Sequence, residues 1–215
     1  MQHDIASLRK EYKREELTEA SVHADPLQQF RAWFDEALAA QLPEPTAMTL
    51  ATADAHGVPS ARTVLLKGID ETGFVWYTNY ASEKGQCLEQ NPVAALLFFW
   101  PELERQIRVS GTVERVSREE SEAYFHSRPR ESQLGAWASH QSTVVASREE
   151  LEQTFVAMQQ QFADGEIPLP PTWGGYRLSP LRIEFWQGRP SRLHDRFLYT
   201  FSAQDNSWKL ERLAP

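Results

Sequence analysis

The chain lacks several features that would assign it to a common class. Its single cysteine, Cys87, cannot form an intrachain disulfide, so neither a disulfide scaffold nor a cysteine-based zinc site is expected. The six histidines are scattered and form no HExxH pattern, which predicts that no metal is bound. The longest apolar run, from Val93 to Trp100, has the length of a buried strand, whereas a bilayer span needs about 20 apolar residues. No membrane association is predicted.

Positive charge is also scarce, because 22 Lys and Arg stand against 30 Asp and Glu, giving a net charge of −8. An acidic chain lacks the basic face that nucleic acid requires, so no nucleic-acid partner is expected. Dinucleotide, nucleotide-triphosphate and hydrolase-elbow motifs of the types GxGxxG, GxxxxGK and GxSxG are absent. The N-terminus is charged throughout and has no secretory apolar run, which indicates a cytoplasmic protein.

The distribution of apolar residues predicts an N-terminal arm and one folded domain. Residues 1–24 mix charges with little apolar periodicity and are expected to form a mobile arm, while 25–215 are expected to form a single domain. A helix is predicted to start at the cap Asp25 and to end near Leu42. Capping boxes at Ser117 and Ser147 predict two more helices, over 117–127 and 147–163, and shorter helical segments are expected at 82–90 and 132–139.

Short β-type runs separated by turn residues make up the rest of the chain. The runs at 46–53, 58–67, 74–79, 93–100 and 105–116 predict an antiparallel meander. After a proline-rich ordered loop at 167–173, strands are expected at 175–178, 182–187, 196–201 and 208–213. The predicted fold class is therefore β-rich (α+β), a barrel-like sheet with peripheral helices.

One cluster of cationic residues lies near the C-terminus, in the segment RPSRLHDR. If this segment is extended, Arg192, His194 and Arg196 share one face of a strand. These groups repel one another unless an anion lies between them. A solvated strand edge, or pairing with acidic residues elsewhere, explains the same pattern equally well.

A second cluster lies in the segment AYFHSRPRES. Tyr124 and Arg128 share a helical face, and Pro129 predicts a helix break at Arg128. Ser132 is a candidate N-cap for the following helix, whose free N–H groups could receive a phosphate. The alternative is a capped turn with arginines that face solvent.

Two further cations, Arg62 and Lys67, lie in an otherwise apolar strand. Because they are five residues apart, a regular strand directs them to opposite faces. Either they serve two different anions, or one of them is a surface charge. The tryptophans Trp173, Trp186 and Trp208 could likewise be core residues or could cover a flat ligand.

These motifs, in this order, closely resemble the pyridoxamine 5′-phosphate oxidase family. The resemblance runs from LRKEY at Leu8 to the C-terminal ERLAP and includes ADPLQQF, RTVLLK, LERQIRVSG, YFHSRPRESQLGAWAS, PLPPTWGGYR and RLHDRFLY. It implies an FMN-binding split β-barrel and a homodimer with FMN at the interface. It also implies oxidation of pyridoxine 5′-phosphate and pyridoxamine 5′-phosphate to pyridoxal 5′-phosphate, by hydride transfer from C4′ to flavin N5, with O2 reduced to H2O2.

The resemblance also implies roles for individual residues. Arg192 and His194 would be catalytic and lie over the substrate ring, and Arg9 and Tyr12 would belong to an arm that closes over the substrate. The implied substrate-phosphate residues are Lys67, Tyr124, Arg128 and Ser132. The implied FMN-binding residues are Arg62, Thr63, Val64, Leu65, Leu66, Lys67, Tyr77, Thr78, Lys84, Gln106, Gln141, Ser142, Trp186 and Arg196.

One residue departs from the family pattern. Glu83 precedes Lys84 where relatives often carry arginine, and we expect it to point to solvent, because a carboxylate facing inward would repel the FMN phosphate. Two other functions remain open: a non-catalytic carrier of FMN or pyridoxal phosphate, and a related split-barrel reductase with another electron donor.

Overall fold

The computed structural model describes Tyr12 and residues 16–215. Its helices are α1 (Pro26–Ala39), α2 (Glu83–Gln90), α3 (Arg118–Ser127), α4 (Arg130–Ala138) and α5 (Arg148–Phe162). Its strands are β1 (Ala47–Ala53), β2 (Pro59–Leu65), β3 (Gly68–Ile69), β4 (Phe74–Asn79), β5 (Val93–Trp100), β6 (Arg105–Arg115), β7 (Trp173–Gln187), β8 (Asp195–Ser202) and β9 (Ser207–Arg212). Within this part of the chain, no helix is long and apolar enough to cross a membrane.

The helices α1, α3 and α5 begin where their capping residues predict. The Asp25 side chain accepts a hydrogen bond from the Leu27 amide at 2.8 Å, and Ser117 and Ser147 cap α3 and α5 in the same way. The predicted end of α1 near Leu42 is wrong by three residues. The chain leaves the helix because Gln41 takes a left-handed conformation with a φ of 53°.

The strands are hydrogen-bonded in the order β2-β1-β5-β6-β7-β4-β3, and β8 joins β7 and β9. The predicted meander is therefore wrong for β4, which pairs with β7 in antiparallel register from Phe74↔Leu178 to Asn79↔Trp173. The two strands predicted at 175–178 and 182–187 are one continuous strand, since the second half of β7 pairs with β8. Such non-local pairing leaves no signal in the local pattern of a strand.

The chain forms two compact units, and each has its own buried residues. The first comprises the described residues of 1–49 together with 95–110 and 180–215. Its interior includes Trp33, whose ring lies edge-on to Phe185 at 5.2 Å, and Tyr199, whose hydroxyl donates to the His23 carbonyl at 2.6 Å. The predicted division into an arm at 1–24 and a single domain at 25–215 stays a prediction, and residues 1–11 and 13–15 lie outside the described part of the chain.

The second unit comprises residues 50–94 and 111–179. Phe125 of α3, Leu134 of α4 and Trp173 of β7 pack together with two residues of the proline-rich loop, Ile167 and Leu169. The loop is ordered, as its prolines predict, because its carbonyls accept hydrogen bonds from the side chains of α3 and α4. This packing fixes the junction between α3 and α4, which forms one wall of the candidate site.

Candidate functional site

A cleft of about 920 Å³ opens in the second unit. Its walls come from β2, the end of β4, the start of α2, the junction between α3 and α4, and residues 139–142. Most of the residues that the resemblance assigns to FMN and to the substrate phosphate line it: Arg62, Thr63, Val64, Leu65, Lys67, Tyr77, Thr78, Lys84, Tyr124, Arg128, Ser132, Gln141 and Ser142. Leu66 is buried and does not line the cleft.

Lys84 is the most deeply buried cation of the cleft, with 7% of its surface exposed. Its ammonium donates to three neutral oxygens: Gln141 Oε1 at 3.0 Å, and Thr78 Oγ1 and Ser82 Oγ at 3.3 Å. Burial lowers its pKa, and the positive charge of Arg62 lowers it further. A buried ammonium whose acceptors are neutral is well placed to receive an anion.

The Arg62 guanidinium is held by hydrogen bonds to its own strand, β2, and to the neighbouring strand, β1. Its Nη1 donates to Thr52 Oγ1 at 2.8 Å and to the carbonyls of Leu50 and Ser60 at 3.2 Å. Its Nη2 donates to Ser60 Oγ at 2.6 Å and lies 3.7 Å from Glu83 Oε1. The guanidinium is therefore fixed, with its Nη2 edge toward Ser60 and Glu83.

Lys67 lies beyond the end of β2, where the strict alternation of a strand no longer applies. The strand ends at Leu65, and the backbone amide of Lys67 donates to the Val75 carbonyl at 2.8 Å. As a result, Lys67 and Arg62 line the same cleft although they are five residues apart. The end of the strand thus resolves the conflict that a regular strand would create.

Arg128 has a buried donor atom that faces no acceptor among the described residues. Because Pro129 follows, α3 ends before Arg128, whose ψ is 151°, and the predicted helix break is confirmed. Its guanidinium lies 4.7 Å from the Trp173 ring centre, and burial lowers its pKa. Its Nη1 is buried and has no hydrogen-bond partner among the described residues. Beside it, the rings of Tyr124 and Tyr77 stack at 3.9 Å.

The predicted role of Ser132 as an N-cap is wrong. The cap position of α4 is Pro129, and Ser132 lies in the first helical turn, where its amide donates to the Pro129 carbonyl at 2.8 Å. The helix starts earlier, at Arg130, directly after Pro129, whose own backbone is not helical, with a ψ of 143°. Ser132 nevertheless lines the cleft.

The segment from Arg189 to Arg196, in the first unit, is not an extended strand. Pro190–Arg192 forms a 3-10 turn in which Ser191 and Arg192 have φ values of 57° and 61°, and β8 starts only at Asp195. The prediction that Arg192, His194 and Arg196 share a strand face is therefore wrong. Arg192 is exposed, whereas Arg196 pairs with Glu184 at 2.9 Å, as the acidic-partner alternative foresaw.

His194 is the best-defined group of this segment. Its Nδ1 accepts a hydrogen bond from the Arg189 amide at 3.0 Å, so a neutral ring carries its proton on Nε2. Burial lowers the pKa of His194 below its usual value of 6.5, and the charge of Arg192 lowers it further. The Trp186 and Tyr12 rings lie 4.7 and 5.7 Å from the imidazole. His194 is thus held as a neutral ring in an aromatic setting.

Of the remaining predicted residues, Gln106 is half-buried on β6, and Arg9 lies outside the described residues. Sequence reasoning missed Ser60, which lines the cleft and bonds both Arg62 and Glu83. The signal was present, because Ser60 is two residues before Arg62 and therefore lies on the same strand face.

Lysine, arginine, tyrosine and serine donors line one cleft of a β-rich fold, and such a donor set suits the class of proteins that bind phosphorylated ligands. Two family models match: residues 34–162 match one described as pyridoxamine 5′-phosphate oxidase, and residues 173–215 match one described as the pyridoxine 5′-phosphate oxidase C-terminal dimerisation region. The chain belongs to the pyridoxamine 5′-phosphate oxidase family.

Relatives and solved structures agree with this assignment. Proteins named pyridoxine/pyridoxamine 5′-phosphate oxidase from Trichormus variabilis and Salinibacter ruber are each 58% identical, over 100% of both chains for the first and over 98% of this chain and 99% of the relative for the second. PhzG from Burkholderia lata, solved with tetrahydrophenazine-1-carboxylic acid, is 30% identical with a TM-score of 0.87, covering 94% of this chain and 98% of that one.

An FMN-binding protein from Nostoc punctiforme, described as related to pyridoxamine 5′-phosphate oxidase, shares the fold. It is 20% identical with a TM-score of 0.68, covering 86% of this chain and 97% of its own. The predicted split-barrel fold class, β-rich with peripheral helices, is confirmed.

Proposed function

We propose that the chain is an FMN-dependent oxidase that converts pyridoxine 5′-phosphate and pyridoxamine 5′-phosphate to pyridoxal 5′-phosphate and reduces O2 to H2O2. The observation that carries this proposal is the 58% identity with an oxidase of that name over the full length of both chains. The cleft adds chemical support, because its cations come from separate segments of the chain and suit ligands that carry phosphate.

The residues of the cleft fit FMN on their own chemistry. The buried Lys84 ammonium has only neutral acceptors among its hydrogen bonds. The phosphate of FMN would bring a negative charge to this ammonium, and Arg62 would be the second cation that binds the phosphate. Thr63, Val64, Leu65 and Leu66 of the β2 segment, with Tyr77, Thr78, Gln141 and Ser142, complete the proposed FMN set. In the first unit, Gln106, Trp186 and Arg196 are proposed to lie about the flavin ring system.

FMN, when bound, would supply the redox chemistry, as an acceptor for the hydride of substrate C4′ and a donor of electrons to O2. The protein's task is to position the substrate. Lys67, Tyr124, Arg128 and Ser132 are proposed to bind the substrate phosphate, with the unpartnered Arg128 Nη1 as a donor. Fixing the phosphate fixes C4′, and such positioning is worth up to roughly 7–11 kcal/mol in favourable cases.

Arg192 and His194 are proposed to contact the substrate ring. A neutral His194 that carries its proton on Nε2 can donate a hydrogen bond to the substrate and support proton movement there. The exposed Arg192 guanidinium can bind an electron-rich ring atom, and its charge adds to the effect of burial in lowering the pKa of His194. Tyr12 packs against His194 and Trp186, which is consistent with an arm, including Arg9, that covers the substrate.

The match to a C-terminal dimerisation region over residues 173–215 supports a homodimer. We place the FMN site at the interface of the two copies and the enzyme in the cytoplasm, as the resemblance and the sequence predict.

An anaerobic titration of the FMN-reconstituted protein tests the function. Pyridoxine 5′-phosphate or pyridoxamine 5′-phosphate should bleach the flavin absorbance, and admitting air should restore it with formation of H2O2 and pyridoxal 5′-phosphate. If FMN binds but neither compound bleaches it, the protein is a carrier or a reductase with another electron donor.

A further inference from the structure

The cleft contains one carboxylate that bonds to its cationic wall. Glu83 Oε1 accepts a hydrogen bond from Ser60 Oγ at 2.5 Å and lies 3.7 Å from Arg62 Nη2. Ser60 Oγ in turn accepts from Arg62 Nη2 at 2.6 Å. The expectation that Glu83 points to solvent holds for most of its surface, which is 63% exposed, but its carboxylate faces the cleft wall.

The position of this carboxylate matters because Nη1 of Arg62 is already engaged. Nη1 donates to Thr52 and to two backbone carbonyls, so Nη2 is the group that faces Ser60 and Glu83. A phosphate that approaches this edge meets the Glu83 carboxylate on the same donors. Glu83 also adjoins Lys84 in sequence, and its negative charge favours the charged form of that buried ammonium.

We propose that Glu83 is an internal counterion at the Arg62–Ser60 edge and competes there with the phosphate of FMN. This inference rests on the proposed function. The Glu83 carboxylate stabilises the positive charges of Arg62 and Lys84. On binding of FMN, the carboxylate must turn toward solvent or remain as a like charge beside the phosphate, and either outcome weakens binding.

The size of the effect follows from the exposure of Glu83. A like charge several ångströms from a phosphate costs most in a buried site, but a largely exposed carboxylate is screened by water and salt. Removing its charge should therefore tighten FMN binding by about threefold to tenfold. Because salt screens the repulsion, the gain should shrink as ionic strength rises.

The experiment compares FMN dissociation constants, measured by quenching of flavin fluorescence on titration with FMN-free protein. Glu83→Gln keeps the shape of the side chain and removes its charge. The matched control is Glu89→Gln on the same helix, because Glu89 is exposed and pairs with Arg115 at 2.7 Å, away from the cleft lining. Riboflavin, which lacks the phosphate, serves as the second ligand.

We expect tighter FMN binding for Glu83→Gln and little change for Glu89→Gln. Riboflavin should bind equally well to the wild-type protein and to both variants. Unchanged or weaker FMN binding by Glu83→Gln overturns it, as does an equal gain for riboflavin. If Glu83→Gln misfolds, Glu83→Ala is judged by the same outcomes. Failure of the wild-type protein to bind FMN at all overturns the proposed function and this inference together.

Discussion

Replacing Arg128 with methionine should raise stability and lower substrate affinity at the same time. In the FMN-free protein, the buried Nη1 without a described partner costs about 1–3 kcal/mol of unfolding free energy. Methionine removes that cost and also the cation–π contact with Trp173, which is worth about 0.5–1 kcal/mol. The net gain in unfolding free energy should be about 1 kcal/mol. Loss of a charge-assisted hydrogen bond to the substrate phosphate, at about 1.5–3 kcal/mol, should raise KM by roughly tenfold to a hundredfold.

Denaturant unfolding of the FMN-free protein and steady-state kinetics with pyridoxine 5′-phosphate measure the two effects. Arg130→Met is the matched control, because Arg130 is exposed, donates to the carbonyls of Gly165 and Ala163, and does not line the cleft. It should lose a little stability and keep its KM. If Arg128→Met is instead destabilised by more than about 1 kcal/mol with an unchanged KM, Arg128 is a structural residue and the argument from its unpartnered donor fails.

Three further changes test other parts of the structure. Arg192→Leu should lower turnover far more than FMN content, and equal loss of both would show a structural role. Gly85→Ala would place a Cβ against the Tyr80 backbone carbonyl and should lower the unfolding free energy by several kcal/mol. At Gly135 the Cβ meets open space, so Gly135→Ala should raise the unfolding free energy by up to about 1 kcal/mol. Similar denaturant midpoints for the two variants would refute this. Burial raises the pKa of Tyr199 to about 12, so the stability that this shift provides is present below pH 10 and is lost as pH rises toward 12. Tyr199→Phe should show a shallower alkaline loss of unfolding free energy, and identical alkaline slopes would contradict the assignment.

Local chemistry made some of the element boundaries predictable. The strand at Phe74–Asn79 and the strand at Val93–Trp100 have the predicted bounds, because turn residues flank continuous apolar runs. The partner of β4 was not predictable, since β7 lies nearly a hundred residues away and pairs through backbone groups that every residue possesses. The turn at Pro190–Arg192 was missed because the left-handed conformation falls on Ser191 and Arg192, where no glycine signals it.

The candidate site was predictable to the extent that motifs carried it. The resemblance named many of the residues that line the cleft, but the contacts among them depend on side-chain geometry. Ser60 and Glu83 show this best, since each lies near a predicted cation in sequence, but only the structure shows that the two bond each other at the edge of Arg62. Residue types alone cannot show which donors of an arginine are already satisfied by its own strand.

An acidic chain can still hold anionic ligands because its carboxylates are unevenly placed. Outside the cleft, several guanidiniums pair with carboxylates: Arg177 pairs with Asp70 at 2.8 Å, and Arg196 pairs with Glu184 at 2.9 Å. In the cleft, Lys84 bonds neutral oxygens, and Arg128 retains a buried donor with no described partner. The positive potential of the cleft therefore depends on which of its cations have no carboxylate partner, and the net charge of the chain does not determine that potential. Glu83 is the exception within this pattern, so its charge is the one whose removal should alter FMN affinity most directly.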